Sequence, residues 1–465
     1  MKWLKRVVLL VLLFAFTYLV NYLWNSFPII TGYSAKMACS CMYLGDRDLK
    51  SVQEQELGKF PLQLASLTIN PDSTITAAIA GMAKQTAVFR PGLGCTLVNE
   101  LSLDEIKAQA WQLAELPSIN PDTVDWPMGD RIPADTGIAL QNASAFEQSI
   151  RTAIQFAFTD QKPDEPLRTR AVVVLHKGRM VAEQYAPGYD RHHRHLSWSM
   201  AKSITGTLIG ILVKEGRISI DQPAPVKEWL TEKDGREKIT VQHLLQQTSG
   251  LDFEENYSKS SDATNMLFRK ANMADYTAAH PLKDKPGTLF YYSSGNSNIL
   301  SGIIRTSLGD SLYHRYPYER LFYKLGMYIP VMEVDASGNF VGSSYVFANA
   351  RDWARLGLLY LQNGNWMGEQ LLPENWVQLA TKPASVAPVG EYGYQIWLNA
   401  GAPGNPANRK FPQLPADLYY FNGFEGQHVY IIPSKDLVIV RLGQTANSKW
   451  FDTQTFVNGI LEVIN

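Results

Sequence analysis

The chain contains a single Ser-x-x-Lys, Ser199-Met200-Ala201-Lys202. On a helix, positions i and i+3 share a face, so the Lys202 amine can approach the Ser199 hydroxyl. Serine is a weak nucleophile until a base takes its proton. A lysine removed from water can be that base, because burial disfavours the ammonium form. The first turn of a helix also leaves backbone N–H groups unpaired, and these can meet a developing oxyanion. The spacing makes Ser199 a candidate nucleophile for acyl transfer, and its place after a strand hairpin, opening an apolar helix with Ser203, Thr205, Gly206 and Gly210, strengthens that expectation. Other routes to hydrolysis lack their residues: Gly-x-Ser-x-Gly, His-Glu-x-x-His and Gly-x-x-x-x-Gly-Lys-Ser/Thr do not occur. The cluster His192-His193-Arg194-His195 has no clear acidic partners in sequence, so no metal and no cofactor is expected. Tyr392, Tyr394 and Trp397 either line an apolar cleft or pack between elements.

Elements that would position the pair are legible around it. Residues 145–158 read as an amphipathic helix, and 171–175 and 179–185 as strands joined by the turn His176-Lys177-Gly178. A helix is expected over 199–215, ending at Gly216, and another over 351–362. A second hairpin is expected from 429–432 and 437–440 around Pro433-Ser434-Lys435-Asp436. The middle, 217–380, reads as mostly helical. Strand pairs at both ends with helices between them imply an α+β fold, an antiparallel sheet closed by the two ends and carrying a mostly helical insertion. Upstream, a helix over 102–116 is signalled by Ser102 with Glu105 three residues later, and Asn70-Pro71-Asp72 and Asn120-Pro121-Asp122 read as turns.

Three stretches carry a family resemblance: Ser197-Trp198-Ser199-Met200-Ala201-Lys202-Ser203, the run Ile239 to Leu251 containing Gln246-Gln247-Thr248-Ser249-Gly250, and Pro286-Gly287-Thr288-Leu289-Phe290-Tyr291-Tyr292-Ser293-Ser294-Gly295-Asn296. In this order they resemble the serine β-lactamase and penicillin-binding-protein superfamily, in its class C-like branch with esterases and 6-aminohexanoate-dimer hydrolases. The resemblance spans about 141–465. It implies a β-lactamase-like fold, with Ser199 the acylated nucleophile, Lys202 its activator and Tyr292 the proton relay to the leaving group. Ser294 stands where that family's Tyr-x-Asn has Asn, and is expected to position substrate. Phe421-Asn422-Gly423 aligns with the Lys-Thr-Gly or His-x-Gly element, so the cation that holds a β-lactam carboxylate is missing. The backbone N–H of Phe424, with that of Ser199, would complete an oxyanion hole. Asn422, Gly423 and Gln427, with Tyr394 and Trp397, are expected at the substrate, and Glu425 as an exposed loop carboxylate or a group behind the site.

Composition limits the partners. Lys+Arg number 43 and Asp+Glu 44, a net charge of −1, which offers no general electrostatic attraction for nucleic acid. The asymmetry lies at the start: Lys2, Lys5 and Arg6 precede an apolar run from Val7 to Val20 that resumes at Tyr22-Leu23-Trp24. Bulky residues stand where a signal peptidase needs small ones, so residues 1–25 are expected to be an uncleaved membrane anchor, with a cleaved signal peptide the alternative. The basic flank stays in the cytoplasm and the rest is exported, held at the inner membrane with the catalytic domain outside the cytoplasm. Residues 26–140 are an extension of unassigned role, and 141–465 the hydrolase. In an oxidising compartment either Cys39 or Cys41 can bond to Cys95, with Cys39–Cys95 the candidate disulfide. The expected activity is cleavage of a small or peptide-like ester or amide. The alternatives are a β-lactamase or D-Ala-D-Ala carboxypeptidase, and a catalytically silent wall- or ligand-binding module.

Overall fold

The computed structural model describes residues 2–133, 143–402 and 405–464. The expected boundary between 140 and 141 lies outside the described residues. The chain forms two compact units: one of Met1–Gln109 with Phe253–Met273 and Val334–Gly338, the other of Ala110–Asp252, Ala274–Glu333 and Asn339–Asn465.

The first unit is organised on one helix, α1 (Lys2–Tyr43). Its side chains are almost all exposed up to Trp24, partly covered from Asn25 to Ile30 and largely buried from Thr31 to Cys41. The expected end of the anchor near residue 25 is therefore a change of surroundings within a continuous helix, which runs through Pro28. Four antiparallel strands follow in order: β1 (Ser66–Ile69), β2 (Thr74–Ile79), β3 (Met82–Arg90) and β4 (Gly94–Leu97). Strand β3 lies along α1. The Thr31 hydroxyl donates to the Ala83 carbonyl at 2.6 Å at one end, and Tyr43 stacks on Phe89 at 4.7 Å at the other. Cys39 is disulfide-bonded to Cys95, while Cys41 is a buried free thiol. The helix Asp262–Arg269 packs so closely on α1 that a Cβ on Gly32 would lie 3.0 Å from the Phe268 carbonyl oxygen. Ser102 and Glu105 form a reciprocal cap, but the helix they open is only Leu103–Ala108. It stops short of residue 116 because Gln109 turns to extended backbone and its side-chain amide donates to the Ala336 carbonyl.

The second unit is built on a six-stranded antiparallel sheet. Its strands in chain order are β5 (Thr169–His176), β6 (Arg179–Tyr185), β10 (Trp397–Leu398), β11 (Tyr419–Gly423), β12 (Gln427–Ile432) and β13 (Leu437–Gly443), and their spatial order is β10-β11-β12-β13-β5-β6. The two hairpins expected at opposite ends of the sequence thus join through β5 and β13, with Val440 opposite Val173. Lys177 and Gly178 both take positive φ, as a two-residue turn between twisted strands requires. Alternation sends Val172, Val174 and Ile439 to one face, against Ile150 and Ile154 of α2 (Ala143–Gln155) and Val457 and Ile460 of the C-terminal helix Thr453–Ile464. Val429 and Val438 face the other way, onto the helix Ala350–Leu361, where a Cβ on Gly357 would lie 2.7 Å from Val438. A separate three-stranded sheet, β7 (His195–Leu196), β8 (Val331–Met332) and β9 (Val346–Ala348), has β9 in its centre.

Two further helices bear on the site: α3 (Ala201–Lys214) and α4 (Ser294–Leu308). The region 217–380 is less helical than its sequence suggests. Residues 279–293 form neither helix nor strand, and Pro281, Pro286 and the positive-φ Gly287 account for much of that. Gly287 sits against His243, 2.9 Å from where its Cβ would be.

Candidate active site

Strand β7 delivers the chain into a tight turn that presents Ser199. Trp198 takes φ +46°, a left-handed conformation unusual for a bulky residue, and Trp198–Met200 form one 3-10 turn before α3 begins. Ser197 secures the turn: its backbone N–H donates to the Val346 carbonyl at 2.8 Å, and its hydroxyl accepts from the Val346 N–H at 3.1 Å. The first three turns of α3, Ala201 to Leu212, are wholly buried. Small residues permit this, since a Cβ on Gly210 would lie 2.6 Å from the Trp376 ring.

Lys202 projects from the first turn of α3 and is 1 % exposed. Its Nζ lies 3.1 Å from Ser199 Oγ, 3.1 Å from Ser294 Oγ and 2.9 Å from the Ser343 carbonyl oxygen. The Tyr292 ring centroid is 4.9 Å from the same nitrogen. Ser199, Lys202 and Tyr292 are thus brought together from two separate parts of the chain. Tyr292 is half-buried, tilted against Trp397 at 5.3 Å and edge-on to Tyr392 at 5.9 Å. Its neighbour Tyr291 is 44 % exposed.

Several positioning residues carried no recognisable signal of their own. Gln247 ends the short helix Val241–Leu245 with φ +61° and is fully buried. Its carbonyl accepts from the Tyr291 N–H at 2.9 Å, and its side-chain Oε1 accepts from the Ser293 N–H at 3.0 Å and Asn296 Nδ2 at 2.9 Å. One residue therefore holds the chain on both sides of Tyr292. Gln395 links three elements: its carbonyl accepts from Ser203 of α3, its Oε1 accepts from Ser297 of α4, and its Nε2 donates to the Leu244 and Leu245 carbonyls. Ser343 is held by its N–H donating to Asn298 Oδ1, and the adjacent Gly342 is so close to α3 that a Cβ would lie 2.6 Å from Thr205 Oγ1. Asn298 and Ser297 stand on α4 beyond the quoted motif, where sequence alone shows only small polar residues in a helix.

The other expected residues are distributed along β11 and its loop. A Cβ on Gly423 would lie 2.2 Å from the Ser197 carbonyl, so the end of β11 runs directly against the nucleophile turn and only glycine fits. Phe424 follows it, 59 % exposed and edge-on to Trp198 at 5.6 Å. Phe421, expected from the motif alignment in the place of the cation, is fully buried against Tyr360 at 5.2 Å. Asn422 is half-buried opposite His428. Gln427 is buried, with Nε2 donating to the Gly443 carbonyl and Oε1 accepting from the Gly443 N–H, which makes it a clamp on the loop. Ser294 is likewise fully buried and turned to Lys202. Glu425 takes φ +61°, and its carboxylate accepts from Gln444. Of the aromatic trio, Tyr392 and Trp397 flank Tyr292, whereas the Tyr394 hydroxyl accepts from Gln242 and its ring packs on Trp376. In the histidine cluster, His193 pairs with Asp190 at 2.8 Å and His195 is buried in β7. Among the described residues no group of three or more His, Cys, Asp or Glu is placed to hold a metal ion.

Comparison with known proteins identifies the family. Over 378 residues the chain is 25 % identical to 6-aminohexanoate-dimer hydrolase of Paenarthrobacter ureafaciens, covering 76 % of this chain and 88 % of that protein. Among solved structures, EstCE1, a hydrolase with promiscuous acyltransferase activity, superposes with TM-score 0.55 at 15 % identity, over 69 % of this chain and 99 % of that one. A penicillin-binding protein homologue from Caulobacter crescentus gives TM-score 0.53 at 14 % identity, over 68 % and 96 %. The likeness to these two structures is one of fold. The Beta-lactamase family pattern matches residues 160–459, well over half of the chain and the part that contains every residue of the Ser199 site. With that match, and with a buried lysine on a helix-borne serine, the chain is a serine hydrolase that belongs to the Beta-lactamase family.

Proposed function

We propose that this protein is an exported, membrane-anchored hydrolase that cleaves an ester or amide through an acyl-enzyme on Ser199. The observation that carries the reading is the surroundings of Lys202 Nζ. The Ser343 carbonyl can only accept a proton, and Ser294 Oγ can take a second N–H. A neutral amine that donates its two N–H groups this way turns its one lone pair to the Ser199 hydroxyl. Ser199 Oγ then attacks the substrate carbonyl as its proton passes to Lys202 Nζ. Negative charge develops on the carbonyl oxygen, facing the backbone N–H groups of Ser199 and Phe424. Collapse expels the leaving group, which takes a proton through the Tyr292 hydroxyl. Water enters, attacks the acyl carbon by the reverse relay and frees Ser199.

The rim favours an apolar substrate without a carboxylate beside the scissile bond. Phe421, which aligns with the motif cation, is packed in the core against Tyr360, Trp198 next to Ser199 meets Phe424 edge-on, and Trp397 packs on Tyr292. The 6-aminohexanoate-dimer hydrolase relative supports including amides. Export is supported by the exposed apolar half of α1 after Lys2, Lys5 and Arg6, and by the Cys39–Cys95 bond, which suits an oxidising compartment. A panel of p-nitrophenyl esters, small amides and a chromogenic cephalosporin tests the substrate class. Turnover of esters or amides with little of the cephalosporin is expected. Preferred hydrolysis of the cephalosporin, or stable acylation by labelled penicillin, would replace this reading with the β-lactamase or peptidase alternative.

A further inference from the structure

The end of the small sheet that lies beside α1 has an apolar surface that catalysis does not use. Phe60 is 75 % exposed, Met82 58 % and Leu64 46 %. Register brings them to one end: Ile79 pairs with Met82 around the β2–β3 turn, and Ser66, two residues after Leu64, pairs with Ala78. The turn Leu62–Leu64 touches α1 as well. Because β3 runs from Ala83 beside Thr31 to Phe89 beside Tyr43, the Gly81-Met82 tip points back toward the N-terminal half of the helix.

That half has the length of a bilayer. Trp3 and Trp24, 75 % and 77 % exposed, are separated by 21 residues, or about 31 Å of helix, against about 30 Å of hydrocarbon. Tryptophans at both ends suit the aromatic belts of a spanning helix. Thr31 lies seven residues past Trp24, about 10 Å along the axis, and the tip reaches back from there. The headgroup layer is roughly 5–8 Å thick on each side, so the tip falls within it or at its edge. Lys59 and Lys84, both exposed, flank the apolar side chains with positive charge suited to lipid phosphates.

We propose that this end of the sheet, Met82 with Phe60 and Leu64, rests in the headgroup layer of a phospholipid bilayer as a second contact beside the anchor. The inference rests on the anchor reading given above. Burying apolar side chains at the interface while lysines meet phosphate is the mode of interfacial attachment, here fixed to a spanning helix. The test uses the full chain reconstituted in phosphatidylcholine–phosphatidylglycerol vesicles, with an environment-sensitive fluorophore on Ala15→Cys, Met82→Cys or Lys50→Cys, and quenchers at shallow or deep positions on the lipid. Ala15 lies within the apolar run, and Lys50 follows the far end of α1. The expected pattern is deep quenching at position 15, shallow quenching at position 82 at least about two-fold above that at position 50, and little at position 50. Equal, weak quenching at 82 and 50 with deep quenching at 15 overturns the interfacial contact and leaves the anchor intact. Weak quenching at all three positions overturns both. A blue-shifted signal at 82 that no lipid quencher reaches would mean that another copy of the chain covers the tip, and also refutes the proposal.

Discussion

Replacing Gln247 by leucine tests how far Tyr292 depends on a residue that never touches substrate. The side chain keeps its volume, but Oε1 is lost, and with it the acceptor for the Ser293 N–H at 3.0 Å and Asn296 Nδ2 at 2.9 Å. Both donors are buried, and each left unpaired costs about 1–3 kcal/mol, so the variant should lose roughly 2–6 kcal/mol of stability. Asn296 keeps its bond from the Ser249 hydroxyl, which limits the damage to the segment before α4. A displacement of Tyr292 by about 1 Å should lower kcat about 100-fold, with KM nearly unchanged, because in the proposed relay the phenol acts on the leaving group and not on binding. The conservative Gln247→Glu keeps an acceptor oxygen and gives up only Nε2, which is buried with no hydrogen-bond partner among the described residues. It should recover kcat to within about ten-fold of the parent. The assay is steady-state turnover of a p-nitrophenyl ester, run beside a denaturant melt. A folded Gln247→Leu protein with parental kcat would refute the claim that this residue sets the position of Tyr292.

Other perturbations read separate parts of the account. Ser294→Ala removes an oxygen 3.1 Å from Lys202 Nζ; because that bond becomes one to a charged group only as Nζ takes the Ser199 proton, kcat should fall roughly 10- to 100-fold, while Ser294→Thr restores most of it, with steady-state ester turnover as the readout. Burial and the nearby Arg441 guanidinium push His428 down from 6.5 to about 3. The unfolded chain therefore binds that proton more readily, so the stability it contributes is present above pH 6.5 and lost as pH falls toward 3. His428→Phe should flatten the acid limb of a denaturation-versus-pH curve across that window, and an unchanged limb would assign it to other groups. Removing the Cys39–Cys95 bond, which closes a separation of 56 residues, should cost about 4 kcal/mol if it acts by restricting the unfolded chain, as measured by denaturant melts of Cys39→Ala/Cys95→Ala.

What was legible in the sequence is what depends on local pattern. Both hairpins of the main sheet, and the helices after Ser199 and from Ala350, announce themselves through period-two runs, turn residues and caps, and their junction through β5 and β13 follows from pairing the two ends. Helical spacing brought Ser199 and Lys202 together on one face, but their reading as a catalytic pair needed the surrounding strands and the family resemblance as well. Tyr292 needed the family resemblance, because a tyrosine followed by two serines has no signature of its own. Gln247 was visible only as a member of a quoted run, with no role, and Gln395 and Ser343 not at all, for a different reason: they act through backbone carbonyls or buried amides whose partners lie 44 to 192 positions away. The extent of α1 was also hidden. A change from apolar to mixed composition near residue 25 looks like an end, whereas it marks where the helix leaves exposed surroundings and enters packed ones. Ser294 and Gln427 were legible as members of a motif, but not as side chains turned inward, since one-dimensional pattern gives no direction to a polar residue in a loop.

The central claim is that Ser199 is the residue acylated in turnover. Intact-protein and peptide mass spectrometry after treatment with a fluorophosphonate, on the full chain and on Ser199→Ala, measures it most directly. One adduct is expected, located on Ser199 and absent from a Ser199→Ala protein that melts like its parent. An adduct of equal stoichiometry on another serine, or persistence of labelling in Ser199→Ala, would contradict it.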